Sequence, residues 1–295
     1  MALPKVIAVV LNWNRVDDTQ RCVLSLAQSD YSNLEVLVVD NGSDRALYEQ
    51  LLAALPPVAH LLRSEKNLGF AAGNNLGLCH ALEQGADYAL VINNDTVVDP
   101  AMIGQLVTAA EAQTEAALLG PLIYYLNEPG QVWFAGYRFS HGLYILRRGL
   151  RLAPPLKPVE EVDFVSGCCM LMRRAMLERV GLFSNEYFMY YEDLDLCFRV
   201  KAAGYKILCV TGAQMWHAVS ASTGGTESPL KQYYQVKSSL IFYRKHSHGL
   251  KRVLNIILRL GHAGITLINA VLHGRLKPAA IRMFLRGFRE GWQNG

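Results

Sequence analysis

The most constraining feature of this chain is an alternation that runs through its first 113 residues. Short runs rich in aliphatic and β-branched residues occur at Lys5–Leu11, Leu34–Val39, Val58–Leu62 and Tyr88–Ile92. Between them, in Val16–Ser29, Ala46–Leu55 and Phe70–Gln84, apolar residues recur every three or four positions. Continuous apolar runs of this length suit strands buried on both faces, and the intervening spacing suits helices with one apolar side. The resulting order, β-α-β-α-β-α-β, predicts an α/β fold built on a mostly parallel, doubly wound, Rossmann-like sheet. Sheets of this kind bind ligands beyond the carboxyl ends of their strands.

Beyond this region the pattern loosens. Pro100–Gln113 predicts another helix, with proline in its first turn, and Ala116–Leu119 a fifth strand. Gly120–Pro158 is irregular and carries Tyr124, Tyr125, Trp133, Tyr137 and Tyr144, aromatics that either surround a pocket or pack under long loops. Val162–Met172 predicts a strand, Arg173–Val180 a short helix, Glu192–Ala203 a helix and Tyr205–Val210 a further strand. The Gly/Ser/Thr-rich stretch Ser220–Ser228 predicts a lid. From Pro229 the chain reads as helices almost to its end. Val253–Leu272 is apolar but interrupted by Asn255, Arg259, His262 and Asn269, which predicts a helix lying in a membrane interface rather than crossing it. The expected organisation is a main domain over residues 1–227, with halves 1–120 and 121–227, and a basic amphipathic helical tail over 228–295.

Charge sharpens the reading of the tail. The net charge of +4 conceals ten Lys/Arg against a single acid from Arg244 onward. Such a tail calls for an anionic partner, and lipid headgroups fit it better than nucleic acid. Few stacking aromatics interleave with its charges beyond Tyr233, Tyr234, Phe242 and Tyr243, so no nucleic-acid partner is expected. The six cysteines form no CxxC pair, which leaves no signature of a disulfide frame or zinc site. The apolar run Val6–Leu11 is too short for a secretory signal, so a reducing cytoplasm is the expected compartment.

The candidate chemistry collects at strand ends. Asn12-Trp13-Asn14-Arg15 follows the first strand, Asp40-Asn41-Gly42-Ser43-Asp44 the second, and Asn93-Asn94-Asp95 the fourth. One such cluster would be an ordinary turn, but three at the same edge of a sheet point to a site. Asp95 stands where a carboxylate could hold Mg²⁺ or Mn²⁺ against a diphosphate, or simply cap the next helix. Asp40 could accept a hydrogen bond from a pyrimidine ring N–H. Asn67-Leu68-Gly69-Phe70 opens a helix whose N-terminus could face phosphate. No GxGxxG follows the first strand and no GxxxxGK[ST] occurs, which removes the usual dinucleotide and P-loop turns. Glu192-Asp193-Leu194-Asp195, after the aromatic run Phe188–Tyr191, either caps a helix or supplies a base whose pKa its apolar surroundings raise.

Taken together, VVLNWNR, VLVVDNGSD, NLGFAAGNN, LVINNDT, FVSGCCMLMRR, VGLFSNEYFMYYEDLDLCFRVKAAGY and Trp216-His217 resemble the family 2 glycosyltransferases of the GT-A fold. The likeness is strongest to the bacterial branch of rhamnosyltransferases in cell-wall and surface-polysaccharide assembly, and it covers about Lys5 to His217. It implies that residues 1–120 bind the nucleotide sugar and 121–227 the acceptor. Asn12, Asn14, Asp40, Asn41, Ser43, Asn67, Gly69 and Asn94 would then line the nucleotide, with Asp40 on the base. Asn93-Asn94-Asp95 would occupy the family's DXD position, with Asn93, Asp95 and His217 forming the metal site for Mg²⁺ or Mn²⁺. Asparagine replaces the first acid of that motif. Asp193 would be the catalytic base, and Glu192 and Asp195 would orient the acceptor or neighbouring loops.

The implied activity is inverting transfer from dTDP-rhamnose, or otherwise a UDP-hexose, to a lipid-linked glycan acceptor or polysaccharide at the anionic inner surface of the plasma membrane. A nucleotidyltransferase would need a Gly-rich loop after the first strand, and an inactive sugar-nucleotide-binding module should have lost Asp95, Asp193 or His217, all of which are present.

Overall fold

The structure, a computed structural model, describes residues 2–140, 143–148, 157–219, 229–272 and 278–293. The elements in chain order are β1 (Val6–Asn12), α1 (Val16–Ala27), β2 (Leu34–Asn41), α2 (Arg45–Ala54), β3 (Ala59–Ser64), α3 (Gly69–Glu83), β4 (Tyr88–Asn93), β5 (Thr96–Val98) and α4 (Met102–Ala112). They continue with β6 (Ala116–Tyr125), β7 (Val132–Phe134), β8 (Tyr137–Ser140), β9 (Leu143–Arg148), β10 (Val159–Val162), β11 (Cys169–Arg173), α5 (Arg174–Val180), α6 (Glu192–Ala202) and β12 (Lys206–His217). Three helices follow, α7 (Pro229–His246), α8 (Gly249–Leu272) and α9 (Pro278–Gln293).

The main sheet runs β10-β12-β6-β11-β4-β1-β2-β3, and β5 and β7 pair with β12 and β6. β3, β2, β1 and β4 are mutually parallel, as the alternation at the start of the chain predicts. Their side chains explain the arrangement, because Val6–Val10, Val36–Val39 and Tyr88–Ile92 are buried on both faces. Helix α3 lies very close to this sheet. A Cβ on Gly77 would sit 2.2 Å from a Val9 methyl, so glycine sets the distance between helix and strand.

β11 runs antiparallel to both β4 and β6, and β6 is in turn parallel to β12. This reversal corrects the expectation of one continuous strand over Val162–Met172. Two strands, β10 and β11, flank a turn at Gly167-Cys168, which Ser166-Gly167 interrupts the apolar run to form. β6, expected over Ala116–Leu119, is longer than that apolar core and runs from Ala116 through Gly120-Pro121 to Tyr125. β12 extends past Val210 to His217, with an irregularity in its register on β6 between Val210 and Gln214.

Two compact units make up the chain. The first contains Met1–Arg138, Leu146–Asn185 and Glu192–Val219, and holds the main sheet. The second contains Phe139–Ile145, Glu186–Tyr191 and Ser220–Gly295. Within the second, α7 and α9 pack closely through glycines four residues apart. A Cβ on Gly287 would lie 2.5 Å from the Tyr233 carbonyl oxygen, and one on Gly291 would lie 2.8 Å from that of Lys237. No helix among the described residues is long and apolar enough to cross a membrane. The expected lid, Ser220–Ser228, lies outside the described residues.

Candidate active site at the carboxyl edge of the sheet

The parallel strands end together, so the three polar clusters meet. Asn12, at the end of β1, is wholly buried and donates from its amide to Asp40 Oδ1 at 2.9 Å and to Ser43 Oγ at 3.2 Å. Its Oδ1 accepts from Thr19 Oγ1 at 2.8 Å and from the Arg15 backbone N–H at 3.3 Å. Ser43 Oγ also accepts from the Asn14 N–H at 2.9 Å, and Asn14 adopts a left-handed φ of 55° that asparagine tolerates. Asn94 joins the same network through Thr19, at 2.9 Å.

Asp40, also wholly buried, accepts from the Ser43 N–H at 3.3 Å, and the Arg63 guanidinium lies 3.8 Å from its Oδ2. Burying a carboxylate is costly unless it is paired and hydrogen-bonded. Asn41 fixes the next loop, donating to Asn67 Oδ1 at 3.1 Å and to the Gly69 carbonyl at 3.0 Å while accepting from the Leu68 N–H at 2.9 Å. Gly42 makes this junction sterically possible. Its φ is +74°, and a Cβ there would fall 2.3 Å from the Lys66 carbonyl carbon. Asn12 and Asn41 thus spend their amides on protein groups and shape the pocket, and Asn67 and Gly69 form the loop that opens α3.

A second cluster forms around Asp95. β5 pairs antiparallel with the end of β12, opposing His217 to Thr96. His217 Nε2 lies 3.0 Å from Asp95 Oδ1, both side chains are buried, and the Trp133 ring packs edge-on against the imidazole with centroids 4.7 Å apart. His217 Nδ1 is buried and has no hydrogen-bond partner among the described residues. Asn93, half-buried, stands two residues before Asp95, and its backbone N–H donates to the Cys168 carbonyl at 2.9 Å.

One carboxylate oxygen and one imidazole nitrogen at contact distance form the kind of partial donor set that a divalent ion completes with diphosphate oxygens and water. No group of three His, Cys, Asp or Glu able to hold a metal occurs among the described residues.

The third cluster lies at the start of α6. Asp193 Oδ2 accepts from the Gly167 N–H at 2.9 Å, and its Oδ1 accepts from the Leu194 N–H at 2.8 Å. Burial raises the pKa of this carboxyl, and these two donors partly offset the rise. Burial pushes Glu192 well above the ordinary glutamate range, and the adjacent Asp193 charge pushes the same way. Glu192 Oε2 is buried without a hydrogen-bond partner among the described residues. Asp195 is different. It is wholly buried, and its Oδ2 accepts from Arg199 Nε at 2.7 Å. Arg199 in turn donates to the Val180 and Leu182 carbonyls at 3.0 and 2.7 Å, so Asp195 acts on a neighbouring loop.

In the sequence, Gly167 is visible only as one residue of the FVSGCCMLMRR motif. Its N–H reaches Asp193, the next residue's carbonyl reaches Asn93, and a Cβ on Gly167 would lie 3.2 Å from Asp193 Cβ and 3.4 Å from the Phe70 ring. One turn therefore connects the candidate base, the Asn93–Asp95 segment and the opening of α3. The signal for it was a glycine inside an apolar run. Asn75 was missed in the same way: its amide exchanges hydrogen bonds with Phe183, donating to the carbonyl at 2.9 Å and accepting from the N–H at 3.1 Å. Of the aromatics expected around a pocket, Trp133 does adjoin His217, whereas Tyr124 stacks on Trp216 and Tyr137 on Phe164. The side chain of Tyr144 lies outside the described residues.

Known proteins resemble this chain in sequence and in fold. The N-acetylglucosaminyl-diphospho-decaprenol L-rhamnosyltransferase of Mycobacterium tuberculosis is 29% identical over 281 residues, covering 85% of this chain and 88% of its own length. The dTDP-rhamnosyl transferase RfbF of Shigella flexneri is 24% identical over 278 residues, covering 92% of this chain and 90% of its own. The mannosyltransferase PcManGT from Pyrobaculum calidifontis, solved with GDP-Man and Mn²⁺, superposes with a TM-score of 0.60 at 14% identity, over 99% of this chain and 85% of that one. GalNAc-T7, solved with UDP, GalNAc and Mn²⁺, also gives 0.60 at 14% identity, over 81% of this chain and 51% of that one. These structural likenesses establish the GT-A fold. A model described as "glycosyltransferase like family 2" matches residues 4–237, and the chain belongs to that family.

Proposed function

We propose that the protein transfers a sugar, with inversion, from a nucleotide diphosphate to a hydroxyl of a lipid-linked acceptor. The observation that carries this reading is the Gly167-Cys168 turn, which ties Asp193 to the Asn93–Asp95 segment through one hydrogen bond on each side. Inverting transfer needs a base on one side of the anomeric carbon and leaving-group stabilisation on the other. Asp193 takes the acceptor proton, the freed oxygen bonds to the anomeric carbon, and the sugar–phosphate bond breaks with its electron pair leaving on the nucleotide diphosphate. The raised pKa of Asp193 suits it to this work, since a base whose pKa lies nearer the operating pH binds the proton more firmly in the transition state.

Asp95 and His217 would hold Mg²⁺ or Mn²⁺, with Asn93 beside them. Such an ion, when bound, neutralises charge developing on the departing diphosphate. The strand-end loops carrying Asn14, Asp40, Ser43, Asn67, Gly69 and Asn94 would receive the nucleotide, with Asp40 facing a pyrimidine. Glu192 would orient the acceptor.

The activities of the M. tuberculosis and S. flexneri relatives favour L-rhamnose from dTDP-rhamnose as the donor, and a UDP-hexose is the alternative. The first of them also favours an acceptor carried on a polyprenyl diphosphate, which would draw the protein to an anionic membrane surface on its cytoplasmic side.

The test is thermal stabilisation by dTDP, UDP, GDP and CMP, each with and without Mg²⁺ or Mn²⁺, followed by NMR of the product made from the donor so chosen. A metal-dependent shift with dTDP or UDP and an inverted anomeric centre are expected. Retained configuration would overturn the displacement mechanism, and a shift with GDP alone would overturn the donor.

A further inference from the structure

Helix α8 is amphipathic in the inverted sense. Leu250, Val253, Leu254, Ile257 and Leu258, spaced as one face of a helix, are exposed by 82%, 52%, 39%, 58% and 41%. The opposite side, with Arg252, Asn255, Ile256 and Arg259, is turned inward. Asn255 is buried, and Arg252 donates to the Ser247 carbonyl at 2.8 Å and the Arg244 carbonyl at 3.0 Å. A helix on a water-facing surface has its apolar side inside, so an outward ridge of five large aliphatics marks a contact surface. Within the same unit α9 exposes Ile281, Leu285 and Trp292 alongside Arg282, Arg286 and Arg289. Lys251, exposed, flanks the α8 ridge.

We propose that α8 enters the surface of an anionic bilayer through Leu250, Val253, Leu254, Ile257 and Leu258, with Lys251 and the α9 arginines meeting the headgroups. Charge selects lipid as the occupant. Between Pro229 and Gly295 the only acidic residue is Glu290, against twelve Lys/Arg, and exposed cations interleaved with aliphatics and tryptophan match an anionic interface. The proposal rests on the membrane location given above and assigns it to residues.

The test is co-sedimentation of the full chain with vesicles of phosphatidylglycerol and phosphatidylcholine, compared with phosphatidylcholine alone. The unaltered protein should pellet with the first and not the second, and added salt should release it. Leu254→Glu with Ile257→Glu should weaken partitioning about tenfold or more while circular dichroism remains unchanged. Should that double variant fold poorly, Leu250→Ser, at the most exposed position of the ridge, gives the same reading. Equal pelleting of variant and unaltered protein would overturn the proposal. So would a dimer, seen by analytical ultracentrifugation, that Ile257→Glu dissolves without any vesicle binding, because a second copy would then cover the ridge. The assay contains no donor or acceptor, so failure of the sugar-transfer reading leaves its outcome intact. Failure of the unaltered protein to pellet, together with full transfer to a water-soluble acceptor, would count against the docking surface alone.

Discussion

The two sides of the catalytic edge differ in how fully their polar groups are partnered. Around β1 and β2, Asn12, Asp40, Asn41 and Ser43 are buried and bonded to one another or to neighbouring loops. Around β11, β12 and α6 the partnering is incomplete: His217 Nδ1 and Glu192 Oε2 are buried with no hydrogen-bond partner among the described residues, and burial raises the pKa of Asp193 despite its two backbone donors. Satisfied networks hold a shape, whereas under-satisfied groups are poised to bind or exchange protons. The comparison teaches that the β1–β2 side is held in shape by its own hydrogen bonds, whereas the groups to which the proposed chemistry is assigned lie on the other side.

Substitutions on each side test that division. The largest effect is expected from Asp193→Asn, which should lower kcat by about a thousandfold while leaving nucleotide-induced stabilisation in place. Loss of nucleotide binding instead would move Asp193 out of the reactive group. Asp95→Ala or His217→Ala should abolish the metal-dependent part of the thermal shift and reduce activity by about a hundredfold or more. Unchanged metal titration in both would break the pairing drawn between them.

On the preorganised side, Gly42→Ala should cost about 2–3 kcal/mol of stability, from its left-handed φ and the 2.3 Å approach of its Cβ to Lys66. Chemical denaturation measures it, and a change below about 0.5 kcal/mol would show that the loop yields cheaply. Gly167→Ala should act in the opposite register, lowering kcat about tenfold with little change in melting temperature, because the added carbon presses on Asp193 at 3.2 Å.

The smallest effect concerns pH. Glu192 has a folded-state pKa raised by burial, so the folded protein keeps a proton there after the unfolded chain has released its own. Its contribution to stability is full below the ordinary glutamate pKa and is lost as pH rises through the raised value. Glu192→Gln should therefore flatten the decline in melting temperature above that range. An unchanged slope would show that the carboxyl is not held protonated.

Much of this was legible because the signals are local. β1, β2 and β4 are largely buried on both faces and β3 keeps a short apolar centre at the sheet edge, so the apolar runs located all four to within about two residues, and the polar clusters after β1, β2 and β4 marked the working edge. β6 and β12 proved longer than expected because pairing with neighbours carries them through Gly120-Pro121 and Gly212, residues that read locally as breaks. The roles of Asp195 and Arg199 were not legible, since the first-turn acids of α6 look alike in sequence and only packing separates a buried ion pair from a base. The inversion of α8 was hidden for a similar reason. Amphipathicity is visible in the chain, but which side meets protein is decided by the partner.

The reversed strand β11 has a consequence for how such a protein can change. In a wholly parallel sheet, only the loops leaving strands reach the working edge. Because β11 runs backward beside β4, Cys169 lies opposite Ile92, and the segment that enters the strand arrives at that edge too. The residues between β6 and β11 can therefore lengthen or diversify while the registers of β1, β2, β3 and β4 stay fixed. Change on that side of the edge leaves the β1–β4 side as it was.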